Sequence, residues 1–343
     1  MAIIPHLVVE GYGAFVGKKQ GRITVSRKKK VEVQAPIMHL QSVLLIGEGV
    51  SISTDALMAC CQKGIPVHMV DWRKKAYGGI YSAGLGGTVL TRRAQYAAYN
   101  DERALLIGRA LASAKLKNQA GLLRYMAKYR KESMPDCYTK VRDAMSEILV
   151  HEARVNDVAS ETTHIKALRE PLMLLEAHAA RHYWRGFGAL LPEGISWVGR
   201  EGRGSCEPVN SIINYGYGVL YGEVERAVLQ AGLDSYAGYV HADRPGKYSL
   251  VLDMIEPFRQ PVVDRALLNF LGKGGTIEQE KDGSLTTKTC KNIANRVKER
   301  LDRSTRHNGK HFTLRHLLQE QAYALAGYLR GERVKFEPYI ARW

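Results

Sequence analysis

Between residues 85 and 92 the spacing of the apolar side chains changes, so the two halves of this chain cannot share one kind of secondary structure. Before that point they come as short β-branched or apolar runs, at residues 7–9, 14–16, 22–26 and 31–33, broken by Gly and Lys. After Pro36 an apolar run at 43–46, a polar-capped helix at 53–62 closed by Gly64, and a buried strand at 66–70 complete a strand, helix, strand unit. Gly84, Gly86 and Gly87 mark the exit from it. From Arg92 the period is helical: Ala94, Ala98, Leu105, Gly108 and Ala112 lie on or near one stripe, Leu116, Leu122, Leu123 and Met126 continue it, and Arg and Lys take the opposite face. Further helices are expected at about 138–152, 162–188, 208–231, 249–271, 290–302 and 312–330, with the Gly- and charge-rich stretch 272–288 as a mobile loop. The pattern predicts an α+β chain: a small N-terminal β-rich domain, residues 1–88, followed by a larger all-α domain, residues 89–343.

With 343 residues, each part can bury a core of its own without disulfides. The five cysteines, Cys60, Cys61, Cys137, Cys206 and Cys290, are odd in number and lack C-x-x-C spacing, which predicts reduced thiols in a cytoplasmic protein. No stretch approaches the roughly 18 apolar residues of a membrane span, and Met1 is not followed by a signal segment, so no membrane association is expected. Charge narrows the class further. Fifty basic against 34 acidic residues give +16, a bias that attracts polyanions. Residues 92–130 carry 9 basic and 2 acidic side chains, and residues 287–343 carry 13 and 5, whereas residues 131–286 carry 17 and 22. An acidic stretch bracketed by basic arms suits a metal-binding centre beside a phosphate-binding surface; solvated basic helix faces are the plainer reading, and charge alone leaves both open.

Asp253 and Glu256 are three apart in a segment, Ser249 to Arg259, that is apolar nearly all round, so a helix would project both carboxylates from one side. Buried like charges need a cation between them, and a divalent ion is the usual one; a surface pair neutralised by Arg259 and Arg265 also fits the residues. Pro257 disfavours helical geometry at Glu256 and predicts a kink there. His241 stands twelve residues before Asp253, in a loop rich in Gly, Pro and Asp, where it is either a surface residue or an imidazole ligand for the same metal. Glu176 interrupts the apolar stripe of an alanine-rich helix and needs a partner if buried. His178 and His182 share a face of that helix, but the H-E-x-x-H arrangement of helical zinc enzymes is missing. There is no G-x-x-x-x-G-K-[ST] loop, no G-x-S-x-G elbow and no complete dinucleotide fingerprint, which argues against nucleotide hydrolysis and hydride transfer.

Taken together, several segments resemble one family, the CRISPR-associated integrase and endonuclease that forms the larger subunit of the spacer-acquisition complex. They are the stretch 47–67, Arg92-Arg-Ala-Gln-Tyr96, Lys115-Leu-Lys-Asn-Gln119, the run from Glu176 to Trp184, the run from Pro208 to Tyr217, and His241 followed by Ser249 to Arg259. The family often has Pro directly after its Phe-Arg pair; here Gln260 intervenes before Pro261. The resemblance implies a dimerising N-terminal β domain and a helical catalytic domain, with metal ligands at Glu176, His241 and Glu256 and Asp253 as the neighbouring catalytic acid; Asp253 or a carboxylate-bound water is the candidate proton acceptor. Two carboxylates and an imidazole suit Mn²⁺ and tolerate Mg²⁺. The implied reaction joins the 3′-hydroxyl ends of captured DNA fragments to the CRISPR repeat by transesterification. The implied partners are DNA, a second copy of the chain and the small ferredoxin-like CRISPR-associated protein two. Arg92, Arg93, Lys115, Arg259, Arg296 and Arg300 are the expected phosphate contacts. A structure-selective nuclease acting on branched DNA and a non-catalytic DNA-binding scaffold are the alternatives.

Overall fold

The computed structural model describes residues 4, 6–40, 42–71, 76–80, 88–160, 162–202 and 204–343. It divides into two compact units, Met1–Gly86 and Gly87–Trp343. Gly84, Gly86 and Gly87, expected to mark the exit from the first unit, lie outside the described residues.

In the first unit the short apolar runs become strands: β1 His6–Glu10, β2 Phe15–Lys19, β3 Arg22–Arg27, β4 Lys30–Pro36, β5 Ser42–Ile46 and β6 Ser51–Ile52. Helix α1 Thr54–Gln62 and strands β7 Val67–Val70 and β8 Ala76–Ile80 follow. One sheet has the order β4-β3-β2-β6, and the other β1-β5-β7-β8. The expected strand, helix, strand unit is β5-α1-β7, whose strands run parallel with Val43 opposite Val67, as a connection long enough to contain a helix allows. Ser53 caps α1 by accepting the Ala56 N–H, and Gly64 ends it at a φ of +65°. Leu7, Val9, Val16, Ile23, Val25, Val43, Leu45 and Val67, at alternate positions of their strands, meet Ala56, Ala59 and Cys60 of α1 in a closed core.

Among the described residues, the regular structure of the second unit is helical apart from one hairpin and an isolated bridge between Gln279 and Leu285. Its helices are α2 Thr88–Ala98, α3 Glu102–Ala127, α4 Pro135–Ser160, α5 Ile165–Ala189, α6 Pro208–Gln230, α7 Ser249–Phe258, α8 Arg265–Gly272 and α9 Thr287–Asp302. Strands β9 Ser304–His307 and β10 Lys310–Thr313 form the hairpin, and α10 Leu314–Leu329 follows. The turn between the strands is Asn308-Gly309, both at positive φ, the pair that a two-residue hairpin loop demands. Helix α3 packs against α4, α5 and α7, which is why so much of it, from Ala104 to Ala127, is buried. Among the described residues no helix is long and apolar enough to cross a membrane.

Two expectations are changed by backbone hydrogen bonding. The segment 249–271 is not one helix: a π-helical turn, Arg259–Asp264, separates α7 from α8. Glu256 stays helical despite Pro257, and the widening falls after it, around Gln260 and Pro261, where an extra residue per turn accommodates the longer spacing. Pro261 has no N–H to offer the Pro257 carbonyl, and Asn118 of α3, fully buried, supplies it from Nδ2 at 2.8 Å. The same amide donates to Tyr339 O and accepts from Ala341 N, so one side chain joins α3, α7 and the C-terminal segment. Residues 272–288, expected to be mobile, are tied down: Glu280 N donates to Ser284 O, Thr286 N to Glu278 O, and the Gln279 side chain to Cys206 O.

Candidate active site

Glu176 sits midway along α5 and Glu256 near the end of α7, and the cation between them comes from α3. Lys115 Nζ lies 2.5 Å from Glu176 Oε2 and 3.2 Å from Glu256 Oε2. The second approach is an ion pair, and Lys115 is the cation that answers the buried Glu256 Oε2. Glu256 Oε1 is held from the other side by Arg259 at 2.8 Å. Lys115 and Glu176 keep 13% and 14% of their side-chain surface exposed, against 6% for Glu256, so the cluster opens to solvent on the Lys115–Glu176 side.

Burial works against the charges on Glu256 and Lys115, and their neighbours outweigh it. Desolvation alone would raise the Glu256 carboxyl, but Arg259, Lys115 and His241 hold it below its ordinary value. Burial would lower the Lys115 ammonium, but Glu176 and Glu256 keep it above the usual lysine value. Glu256 and Lys115 therefore both stay charged at neutral pH.

His241 is placed by Asp253. The backbone N–H groups of Tyr239 and Val240 donate to Asp253 Oδ2 at 2.6 and 3.1 Å, and that of His241 donates to Oδ1 at 2.9 Å. The loop thus wraps three consecutive N–H groups around one carboxylate. His241 Nδ1 reaches the same Oδ1 at 2.7 Å; as the donor in that bond it leaves Nε2 as the ring nitrogen able to ligate. This close wrap requires Gly238, because a Cβ there would stand 2.7 Å from the Ser249 carbonyl carbon and 2.9 Å from Asp253 Oδ2. Asp253 is 1% exposed, and both of its oxygens are engaged by the 239–241 loop.

Sequence reasoning missed the layers that support these groups. Gln95, 1% exposed on α2, donates to Asp234 O and Ala237 O, and accepts from Asp234 N, fastening the loop that leads to His241. Behind Glu256, the Arg259 guanidinium lies 4.8 Å from the centre of the Tyr217 ring. Tyr217 and Tyr183 both donate to Asp264, at 2.7 and 2.5 Å, joining α5 and α6 to the π-helical turn. Burial pushes the Asp264 carboxyl up to about 6 even though both hydroxyls, Arg259 and Arg200 pull it down. The available signal was a polar residue in an apolar stripe: Thr91, Gln95 and Ala98 fall on one buried face of α2.

Three basic residues expected to track phosphates have partners within the protein. Lys115 stands inside the acidic cluster, Arg259 is paired with Glu256, and Arg300, 9% exposed, donates from Nε to the Pro261 carbonyl. Arg296 lies over the Phe270 ring at 4.7 Å and bonds Asn292, while Arg92 and Arg93 are exposed on α2. His178 and His182 share a face with His151 of α4, at ring separations of 5.6 and 5.9 Å from it. Among the described residues no three His, Cys, Asp or Glu side chains already converge on one point. Glu176, Glu256 and His241 offer two carboxylates that share one cation and an oriented imidazole, ligand types whose chemistry suits Mn²⁺ and tolerates Mg²⁺.

The family model described as CRISPR associated protein Cas1 matches residues 7–299. A curated relative from Archaeoglobus fulgidus, CRISPR-associated endonuclease Cas1 1, is 33% identical over 350 residues, covering 98% of this chain and all of that one. Among solved structures, a casposase bound to integration product superposes with a TM-score of 0.77 at 20% identity, covering 99% of this chain and 96% of the other. A Cas1 protein from Thermotoga maritima gives 0.74 at 22% identity, covering 96% and 98%. At these identities the two structures establish the fold, a β-rich part followed by a mostly helical one.

Proposed function

Because this chain belongs to the CRISPR-associated Cas1 family, we propose that it is a metal-dependent DNA integrase and endonuclease of CRISPR adaptation, with Glu176, His241 and Glu256 as its metal ligands. The observation that carries the reading is the convergence of Glu176 and Glu256, from separate helices, on one shared cation beside an imidazole whose Nδ1 is fixed. When bound, Mn²⁺ or Mg²⁺ supplies polarisation of the phosphodiester and stabilises the charge that develops on its oxygens.

The chain's own residues do the rest. Glu176 and Glu256 bring negative charge to a site otherwise crowded with cations. Asp253 acts as a positioning residue, holding His241 in one tautomer and one orientation. Arg259, stacked on Tyr217, keeps Glu256 Oε1 from turning away. In the reaction a 3′-hydroxyl oxygen forms a new bond to phosphorus, one P–O3′ bond of the repeat breaks, and the hydroxyl proton passes to solvent while the leaving oxygen gains one. One phosphodiester is exchanged for another, so no nucleotide cofactor is required. With water in place of the hydroxyl the same centre cuts DNA, which accords with the endonuclease name of the curated relative. Exposed Arg92 and Arg93 are proposed phosphate contacts, and a second copy of the chain and CRISPR-associated protein two are proposed partners, in the cytoplasm of a prokaryotic cell. The test is joining of a duplex with 3′-hydroxyl ends to a plasmid carrying the repeat. Glu256→Gln is expected to abolish joining while leaving DNA binding, and full joining by that variant would refute the ligand assignment.

A further inference from the structure

We propose that Lys115 is a built-in counter-cation that competes with the divalent metal for Glu176 and Glu256, so that metal entry requires its ammonium to leave the two carboxylates. The inference rests on the metal reading above. A ligand bridging Glu176 Oε2 and Glu256 Oε2 would lie between the two atoms that Lys115 Nζ contacts, at 2.5 and 3.2 Å. A divalent ion and an ammonium in that one space would repel each other in surroundings that screen little.

Of the two cations in the cluster, Lys115 is the less constrained. Arg259 is fixed between Glu256 Oε1 and the face of Tyr217. Lys115 carries a compact charge on a flexible four-carbon stem, and its side chain keeps 13% exposure, so it has both the reach and the opening to swing out. Its backbone, in the middle of α3, stays where it is. The lysine has an evident purpose in the metal-free protein: without it, two largely buried carboxylates would face each other with Arg259 as the nearest cation. The consequence is a lowered metal affinity. Apparent affinity is scaled by the fraction of molecules in which the site is open, so an ammonium in place about nine times in ten weakens binding about tenfold. A lysine that merely shaped the site would have the opposite effect, since its removal would splay the carboxylates and weaken binding.

The test is Mn²⁺ binding to the full chain, read from the free-ion EPR signal, with thermal melting measured with and without Mn²⁺. Wild type is compared with Lys115→Met, Lys115→Gln and Glu256→Gln. Lys115→Met is expected to bind Mn²⁺ about tenfold more tightly, to melt at a lower temperature without metal, and to gain more from Mn²⁺ than wild type does. Lys115→Gln, which keeps an N–H donor without the charge, guards against a packing defect and should shift in the same direction. Unchanged or weaker binding in both lysine variants, with binding still lost in Glu256→Gln, overturns the competition and leaves the metal reading standing. Binding that survives Glu256→Gln, or is absent from every variant, overturns both.

Discussion

Replacing Asp253 with Asn separates a positioning role from an acid–base role. The carboxylate accepts three backbone N–H groups and the His241 Nδ1–H with its two oxygens, in a site 1% exposed to solvent. Asn has the same shape but only one accepting oxygen, and its amide N–H₂ would point at groups that are themselves donors. At least one buried donor is left unpaired, at about 1–3 kcal/mol, and each remaining bond loses its charge assistance. A total of about 4 kcal/mol is expected, near that for breaking a buried charge pair. For a unit the size of the helical one this corresponds to a melting temperature about 8 °C lower. The freed His241 ring should cost about 10–100-fold in Mn²⁺ affinity. Urea and thermal unfolding with Mn²⁺ titration measure both. A variant with wild-type stability and wild-type Mn²⁺ affinity that had lost only its turnover would refute the positioning argument and restore Asp253 as a proton acceptor.

Gly238→Ala should displace the His241 loop, since the new Cβ meets the Ser249 backbone at 2.7 Å; about 1–3 kcal/mol of stability and most strand transfer are expected to go, and normal activity would contradict the close wrap. Asn118→Ala leaves the Pro257 and Tyr339 carbonyls and the Ala341 N–H without their partner, for about 3 kcal/mol in urea unfolding, and a neutral result would mean that water replaces the amide. Asp264 has a folded-state pKa of about 6 against an ordinary 3.8, so the native state binds the extra proton between those values. Its contribution is fully present below pH 3.8 and is lost as pH rises through about 6, a change of about 3 kcal/mol. Asp264→Asn should therefore flatten the stability profile across that window, and parallel profiles for variant and wild type would refute the buried-acid assignment.

Much of the architecture was legible because it is local. Short alternating runs became β1 to β5, and the 3.6-residue stripe became α3 to α6, with caps where Ser53 and Gly64 predicted them. What periodicity cannot carry is pairing at long range. Lys115 reads as a surface lysine because it is basic and opposite an apolar stripe, yet α3 is enclosed by three other helices, and its charge is answered by residues 61 and 141 positions away. The π-helical turn depends on Pro261 and on Asn118, 139 residues before the Pro257 carbonyl that it satisfies. Asp253 and Glu256 could be read as an acidic pair on one helix side, but not as two carboxylates with different partners. That division depends on how closely the 238–241 loop approaches α7.

The most direct measurement is strand transfer of a labelled duplex with 3′-hydroxyl ends into a supercoiled plasmid carrying the repeat, with Mn²⁺, Mg²⁺ or EDTA, comparing wild type with His241→Ala. Joining that requires the metal and disappears in the variant, with DNA binding intact, is the predicted result. Joining that persists in EDTA or in His241→Ala would contradict the central claim that Glu176, His241 and Glu256 form one metal-dependent centre.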